Sequence, residues 1–211
     1  MSERLIYMLS DWHLLLQTVL DETAVVLFQG DLAVSSVIRQ SDCQTDHTFV
    51  QDIQSILEQS SVDPQEIASI TILQGPGYFT GIRAGMVIAK AWADIMNTPV
   101  RLISTFDYLM GSLTEFSEKN AFVIRASKLE GYVGFFQDGV LVEEKCFPLK
   151  EISFLHSDWV WMTPSTAFQD IPGLRLMIPS PYLPTQYRTV TSSENLVPVY
   201  GRSLEELFRP A

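Results

Sequence analysis

Between an apolar run and a helical pattern the chain carries QGPGYFTGIR, Gln74 to Arg83. Residues of these types at this spacing could do one kind of chemistry: hold an anion on backbone amides exposed at the start of a helix. Pro76 fixes its φ, Gly75 and Gly77 permit angles that side chains forbid, and Thr80 is placed to cap the helix that follows. The stretch has no lysine followed by Ser or Thr, as a GxxxxGK[ST] loop requires, and no GxGxxG. The residues therefore favour a turn that aims a helix, formed by Gly75, Pro76, Gly77, Phe79, Thr80, Gly81 and Arg83, over a self-sufficient phosphate site.

Other chemistry-bearing residues are scattered. His13, His47 and His156 do not pair with another His, a Cys or a carboxylate at a recognised ligand spacing. Asp11-Trp12-His13 reads as structural on the same ground. No Ser/His/Asp arrangement supports a peptidase. Cys43 and Cys146 stand far apart without a CxxC, the pattern of reduced, buried thiols in a cytosolic protein.

The elements that must position the turn can be read from periodicity. Leu14–Leu20, Thr23–Phe28 and Leu32–Ile38 are three β-rich runs with short turns, an antiparallel meander. Asp46 opens a helix to about Ser60, with Phe49, Val50, Ile53, Ile56 and Leu57 on one face. Asp63, Pro64 and Glu66 form a capping box. Ile67–Leu73 is a buried strand, Gly81–Met96 a helix, Val100–Ile103 a strand and Thr105 to about Phe116 a helix. The second half begins alike, with strands at Ala121–Ala126, Tyr132–Gln137 and Val140–Phe147. It then thins to short strands at Trp159–Met162 and Leu174–Ile178, a proline-rich loop, and a last helical turn at Ser203–Phe208. The order β-β-β-α-β-α-β-α, followed by a reduced echo, predicts an α/β fold of two lobes, 1–116 and 117–211.

Within the second helix Gly85, Ala89 and Ala93 form a stripe without bulky side chains, flanked by Met86, Val87, Ile88 and Trp92. Such a stripe admits a close neighbour. That neighbour is either this chain's own core or a second subunit.

Twenty-five acidic against 14 basic residues give a formal charge of −11. This opposes independent binding to a nucleic-acid backbone. No apolar run approaches the roughly 20 residues of a membrane span, and the first residues do not read as a signal peptide.

The stretch GPGYFTGIRAGMVIAKAWADIMNTPVRLISTFDYL resembles the GPGSFTGLRxG…AKGLA…PxxxxSSxxAL signature of the bacterial TsaB (YeaZ) family. Weaker similarity runs from Leu14 to about Gly139 and includes His47-Thr48. VPVYGR, Val197 to Arg202, is similar to the family's C-terminal P-x-Y-x-R segment. The resemblance implies a two-lobed actin/Hsp70/sugar-kinase-like (RNase H-like) fold. It also implies a non-catalytic, cytoplasmic subunit in the formation of N6-threonylcarbamoyladenosine at position 37 of tRNAs that read ANN codons. The expected partner is a TsaD-like paralogue carrying metal and nucleotide. A TsaE-like ATPase is an open third member, the isolated chain is expected to homodimerise, and tRNA is met only through the complex. No cofactor is expected in this chain itself; ATP or ADP and metal belong to the partner or to a composite interface that the turn touches. First-lobe helices make the family's paired interface, which points to Phe49, Val50, Ile53, Leu57, Gly85, Met86, Ala89 and Ala93.

Three departures from the family pattern bear on chemistry. Gln17, Thr18 and Val19 stand where relatives have Asp-Thr-Ser, so a carboxylate for Mg²⁺ is missing. Thr105 and Leu109 stand where the catalytic paralogue has a His-x-x-x-His metal pair. In RASKLEGYV, Arg125 and Ser127 replace the family's Asp and Arg, while Glu130 and Tyr132 remain, in what reads as an exposed turn. The alternative is a nucleotide-dependent kinase or ATPase of the same fold class, drawing metal ligands from Asp11, Asp21 or Glu130.

Overall fold

The computed structural model describes residues 11–40, 45–127, 129–152 and 158–168, with 171, 173–179, 182, 184, 188–190 and 196 beyond them. The chain opens with β1 (Trp12–Gln17), β2 (Glu22–Gln29) and β3 (Leu32–Gln40). β1 is buried from His13 onward because it lies inside the sheet, between β2 and β4. Its HLLLQ sequence accordingly does not alternate. β3 is the edge strand and is mostly exposed. Arg39 on it donates twice to the buried Asp52, at 2.7 Å each, and so clamps the edge to the first helix.

That helix is α1 (Thr45–Ser60). After it Asp63 and Glu66 form the expected capping box around the 3-10 turn Pro64–Glu66. β4 (Ile67–Leu73), α2 (Phe79–Met96), β5 (Val100–Ile103) and α3 (Thr105–Gly111) follow. The second half brings β6 (Lys119–Arg125), β7 (Glu130–Gln137), β8 (Val140–Pro148), α4 (Leu149–Ile152), β9 (Val160–Thr163) and β10 (Leu174–Leu176).

The two sheets are built on one plan. With a last strand β11 (Arg188–Val190), the first runs β11-β5-β4-β1-β2-β3 and the second β10-β9-β6-β7-β8. Setting β11 aside, β6 to β10 take the places of β1 to β5, with the same parallel and antiparallel pairings. One irregularity corresponds as well: the β2–β3 and β7–β8 hairpins each carry a bulge close to their turn, at Leu27/Phe28 and at Phe135/Phe136. The fold is two-lobed, as the element order predicts, and actin-like, as the family resemblance implies.

Three apolar clusters hold it. One lies between the first sheet and α1 and α2; another covers the outer face of the second sheet with Ile152, Trp161 and Phe168. The third joins the lobes: Phe106, Tyr108 and Leu109 of α3 pack with Leu15 and Phe28 against Phe122, Ile124, Phe136 and Met162. A Cβ on Gly134 would lie 2.7 Å from the Phe106 ring, so the strand passes against that ring without a side chain between them.

Several expectations are corrected. A further strand, β11 (Arg188–Val190), pairs antiparallel with β5, and Val190 and Leu196 sit in the first-lobe core. The expected second lobe, 117–211, therefore includes residues, 188–190 and 196, that pack with the first sheet. α3 stops at Gly111 rather than near Phe116, where Ser112 donates its hydroxyl to the Leu109 carbonyl at 2.7 Å. Cys146 is half-buried rather than buried. Cys43, the segment 197–202 and the expected helical turn at 203–208 lie outside the described residues. None of the described helices is long and apolar enough to cross a membrane.

Candidate functional site

In an open α/β sheet, ligands bind in the crevice beyond the carboxyl ends of the parallel strands. Here β1, β4, β6 and β9 deliver to that crevice the Thr18–Asp21 hairpin turn, the Gly75–Tyr78 turn, Arg125 and the Pro164–Ser165 corner.

The crevice is filled by the chain's own groups. Tyr78 donates its hydroxyl to Asp21 Oδ1, and Ser165 donates to Asp21 Oδ2 at 2.5 Å. Arg125 donates to the Tyr78 oxygen at 3.3 Å, with its guanidinium 5.8 Å from the ring centre. Both Asp21 oxygens thus accept a hydroxyl, one from each lobe. Burial, then the bond to Asp21, pushes the Tyr78 phenol up to about 12. Arg125, standing where the family has an acid, supplies the cation of this cluster.

The glycine-rich turn is closed in the same way. The Gly75–Pro76 peptide is cis and Gly75 has φ +110°, a region open to glycine. Gly77 lies against Val19, where a Cβ would come 2.8 Å from the Val19 Cβ, and Gly81 lies against the Thr18 carbonyl. The Tyr78 amide donates to the Val19 carbonyl at 2.9 Å. Gln17 does not face the crevice as a ligand: its Oε1 accepts from the Val19 and Leu20 amides at 2.9 and 3.3 Å, and its Nε2 donates to the Glu22 carbonyl at 2.8 Å. Backbone of Thr18 and Val19 thus lies directly against Gly77 and Gly81, and the turn runs straight into α2.

Thr80 does not cap that helix. α2 begins at Phe79, and Tyr78 is its cap residue without a side-chain bond, its hydroxyl being committed to Asp21.

The position of Thr105 and Leu109 also excludes ligation. Both are fully buried, Leu109 in the interlobe core, and the Thr105 hydroxyl has no hydrogen-bond partner among the described residues. Asp11 and Asp21 lie beyond opposite ends of β1, roughly 20 Å apart for a strand of this length. Glu130 lies at the β6–β7 turn beside Arg125, where it accepts from the Ser127 hydroxyl. The alternative metal set is thus not assembled. Among the described residues no group of three or more His, Cys, Asp or Glu is placed to hold a metal ion. His13 is structural: it is buried, and its Nδ1 bonds the Ser69 hydroxyl at 2.8 Å. Burial, then Arg101, holds its imidazole below the ordinary 6.5.

The residues expected to meet a partner divide sharply. Phe49, Ile53, Leu57, Gly85, Met86 and Ala89 are all buried within this chain, and Ala93 is packed against the same core. The small-residue stripe faces inward; a Cβ on Gly85 would lie 2.7 Å from Thr18 Oγ1. This corrects the expectation that these side chains are available to a partner. Of that set only Val50 is exposed, at 54%.

A second stripe, overlooked in the sequence, faces outward. Thr80, Arg83, Ala84, Val87 and Ile88 join Val50 in lining a groove of about 450 Å³ between α1 and α2. Val87 is 66% exposed. The offsets 0, 3, 4, 7 and 8 from Thr80 carry the helical signal that could have found it.

The paired sheets with a common strand order, and a crevice sealed by side chains from both lobes, define a divergent protein of the two-lobed actin-like class. A family model described as TsaD, tRNA N6-adenosine threonylcarbamoyltransferase, matches residues 46–129. The tRNA threonylcarbamoyladenosine biosynthesis protein TsaB of Bacillus subtilis is 27% identical over 112 residues, 52% of this chain and 47% of that protein. The match therefore spans about half of the curated relative. YeaZ from Pseudomonas aeruginosa superposes with a TM-score of 0.68 at 20% identity, over 90% of this chain and 99% of that one. A second structure, described as an uncharacterized protein with similarity to peptidase YeaZ from Pseudomonas aeruginosa, gives 0.68 at 20% identity over 91% and 100%. The sequence matches make this chain similar to TsaB and to the TsaD family, and the structural matches show that it shares the fold of YeaZ.

Proposed function

We propose that this chain is a non-catalytic scaffold subunit in tRNA threonylcarbamoyladenosine formation, and that it pairs with a TsaD-like catalytic paralogue through the outward face of α1 and α2. The observation that carries the reading is the closure of the interlobe crevice by Asp21, Tyr78, Arg125 and Ser165. With both Asp21 oxygens and the Tyr78 hydroxyl engaged within the chain, this arrangement favours a structural use of the crevice over metal or phosphate binding. What the chain does offer outward is an apolar groove, and exposed apolar area of this kind marks an interaction surface.

The names of the relatives support the pathway, and the TsaD family match supports a paralogous partner. A scaffold of this kind acts by binding one conformation of its partner better than another, which shifts the partner's equilibrium. ATP or ADP and metal then reside with the partner or at the joint surface, and tRNA meets the assembly rather than this acidic chain.

The test is reconstitution. The tagged chain should co-purify with a TsaD-like protein from its own cells, and adding it to that protein should raise threonylcarbamoylation of tRNA. Turnover of nucleotide by the isolated chain, or no association with the paralogue, would overturn the reading.

A further inference from the structure

Among the described residues one charged side chain lines the groove between α1 and α2. Arg83 stands beside Thr80, Ala84, Val87, Ile88 and Val50, which are neutral. Among the described residues Arg83 is exposed and has no carboxylate at ion-pair distance; its recorded contact is the Phe79 ring, 5.4 Å from the guanidinium carbon. Among the described residues Arg39 pairs with Asp52, Lys119 with Asp158 and Lys145 with Glu143, while the exposed Lys150 and Arg175, like Arg83, have no such pair; what sets Arg83 apart is its place in an apolar groove.

Its surroundings fit it for recognition. The guanidinium carbon sits 5.4 Å from the Phe79 ring centre, no hydrogen bond from the guanidinium N–H groups is recorded among the described residues, and a planar fork suits a carboxylate in bidentate geometry. Ala84, one residue on, keeps the floor low, so a partner's backbone can approach. Val87 and Val50 then offer apolar contact beside the charge. The groove thus fits a helix bearing a small apolar ridge with a carboxylate next to it.

We infer that Arg83 is a specificity-determining residue of this surface, and that the protein partner seated in the groove presents an Asp or Glu side chain to the free edge of its guanidinium. The inference rests on the pairing reading above and adds the chemistry of the partner at that site. It also gives the chain a means of choosing: an overall charge of −11 repels acidic surfaces in general, while one cation in an apolar groove admits a carboxylate at a single place.

The experiment measures the dissociation constant between the full chain and the co-purified TsaD-like paralogue by calorimetry, at low and high salt. The variants are Arg83→Met, Arg83→Lys, Arg83→Glu and Val87→Arg, each checked for an unchanged thermal transition. Arg83→Met should bind about tenfold more weakly or worse, Arg83→Glu weaker still, and Arg83→Lys in between. The wild-type affinity should fall with salt more steeply than that of Arg83→Met. Reversal of one partner carboxylate to Lys should restore binding to Arg83→Glu. Should Val87→Arg abolish association while Arg83→Met binds within twofold of wild type, the groove is the interface and the carboxylate inference is wrong. Should neither substitution matter, both the inference and this use of the groove are overturned.

Discussion

Thr18 donates its hydroxyl to the Gly81 carbonyl at 2.7 Å, and the same oxygen occupies the space that Gly85 leaves by having no side chain. One residue of the first hairpin thus fixes the opening turns of α2. Gly85→Ala places a methyl 2.7 Å from that oxygen and must push it off its bond. We expect a loss of about 1–3 kcal/mol in urea unfolding. Thr18→Ala combined with Gly85→Ala should cost less than the two singly, because the second methyl then meets no oxygen. Additive costs would show that the two do not touch. Gly85→Leu is expected to unfold the chain rather than to leave it folded and partnerless.

Asp21 gathers a hydroxyl from each lobe. Tyr78→Phe and Ser165→Ala each remove one donor to a carboxylate, and each should lower stability by about 1–3 kcal/mol. The alkaline limb carries a second signature. The Tyr78 phenol, ordinarily near 10, is pushed up to about 12 in the folded chain. Above pH 10 the unfolded chain therefore gives up this proton first. The associated stability is complete below pH 10 and is lost as pH rises from 10 through 12. Tyr78→Phe should lessen that alkaline loss, as followed by thermal melts between pH 8 and 12; an unchanged profile would place Tyr78 in water.

His13 gives the opposite limb. Its imidazole is held below 6.5 by burial first and by Arg101 second, against the weaker opposing pull of Asp11 and Asp31. The unfolded chain takes up this proton before the folded one does. The stability tied to neutral His13 is present above pH 6.5 and declines as pH falls below it towards the depressed folded value. Melts from pH 8 to 5 should show that decline in the wild type and a shallower one in His13→Gln. Equal slopes would remove His13 from the account.

The elements were legible where the signal is local. Strands β4 and β5 fall where the apolar runs place them, and Asp63, Pro64 and Glu66 make their box because all the partners lie within four residues. The small-residue stripe was legible as a close contact but not as a contact with Thr18, because α2 carries apolar residues on two faces and periodicity does not say which faces the sheet. The sealed crevice was illegible for a plainer reason. Asp21 meets Tyr78 57 residues away and Ser165 144 residues away, separations that no pattern of spacing records. The strand β11 failed for want of length, since three residues carry no period.

The return of the chain to the first lobe makes a test that the sequence division at residue 117 would not suggest. Val190 and Leu196 are buried with Val100, Leu102 and Ile70, and β11 pairs Val190 with Val100. Leu196→Ala removes a side chain that is 1% exposed, and should cost about 2–5 kcal/mol. The location of the damage matters more than its size. Because Leu196 packs on the first sheet, amides of β5 and β11 should exchange faster with solvent deuterium, while those of β9 and β10 keep their protection relative to global unfolding. A control at Val140, which is 64% exposed on the edge of the second sheet, should leave both regions unchanged on truncation to Ala. If Leu196→Ala instead loosens β9 and β10 first, the tail belongs with the second lobe and the packing of β11 on β5 is wrong.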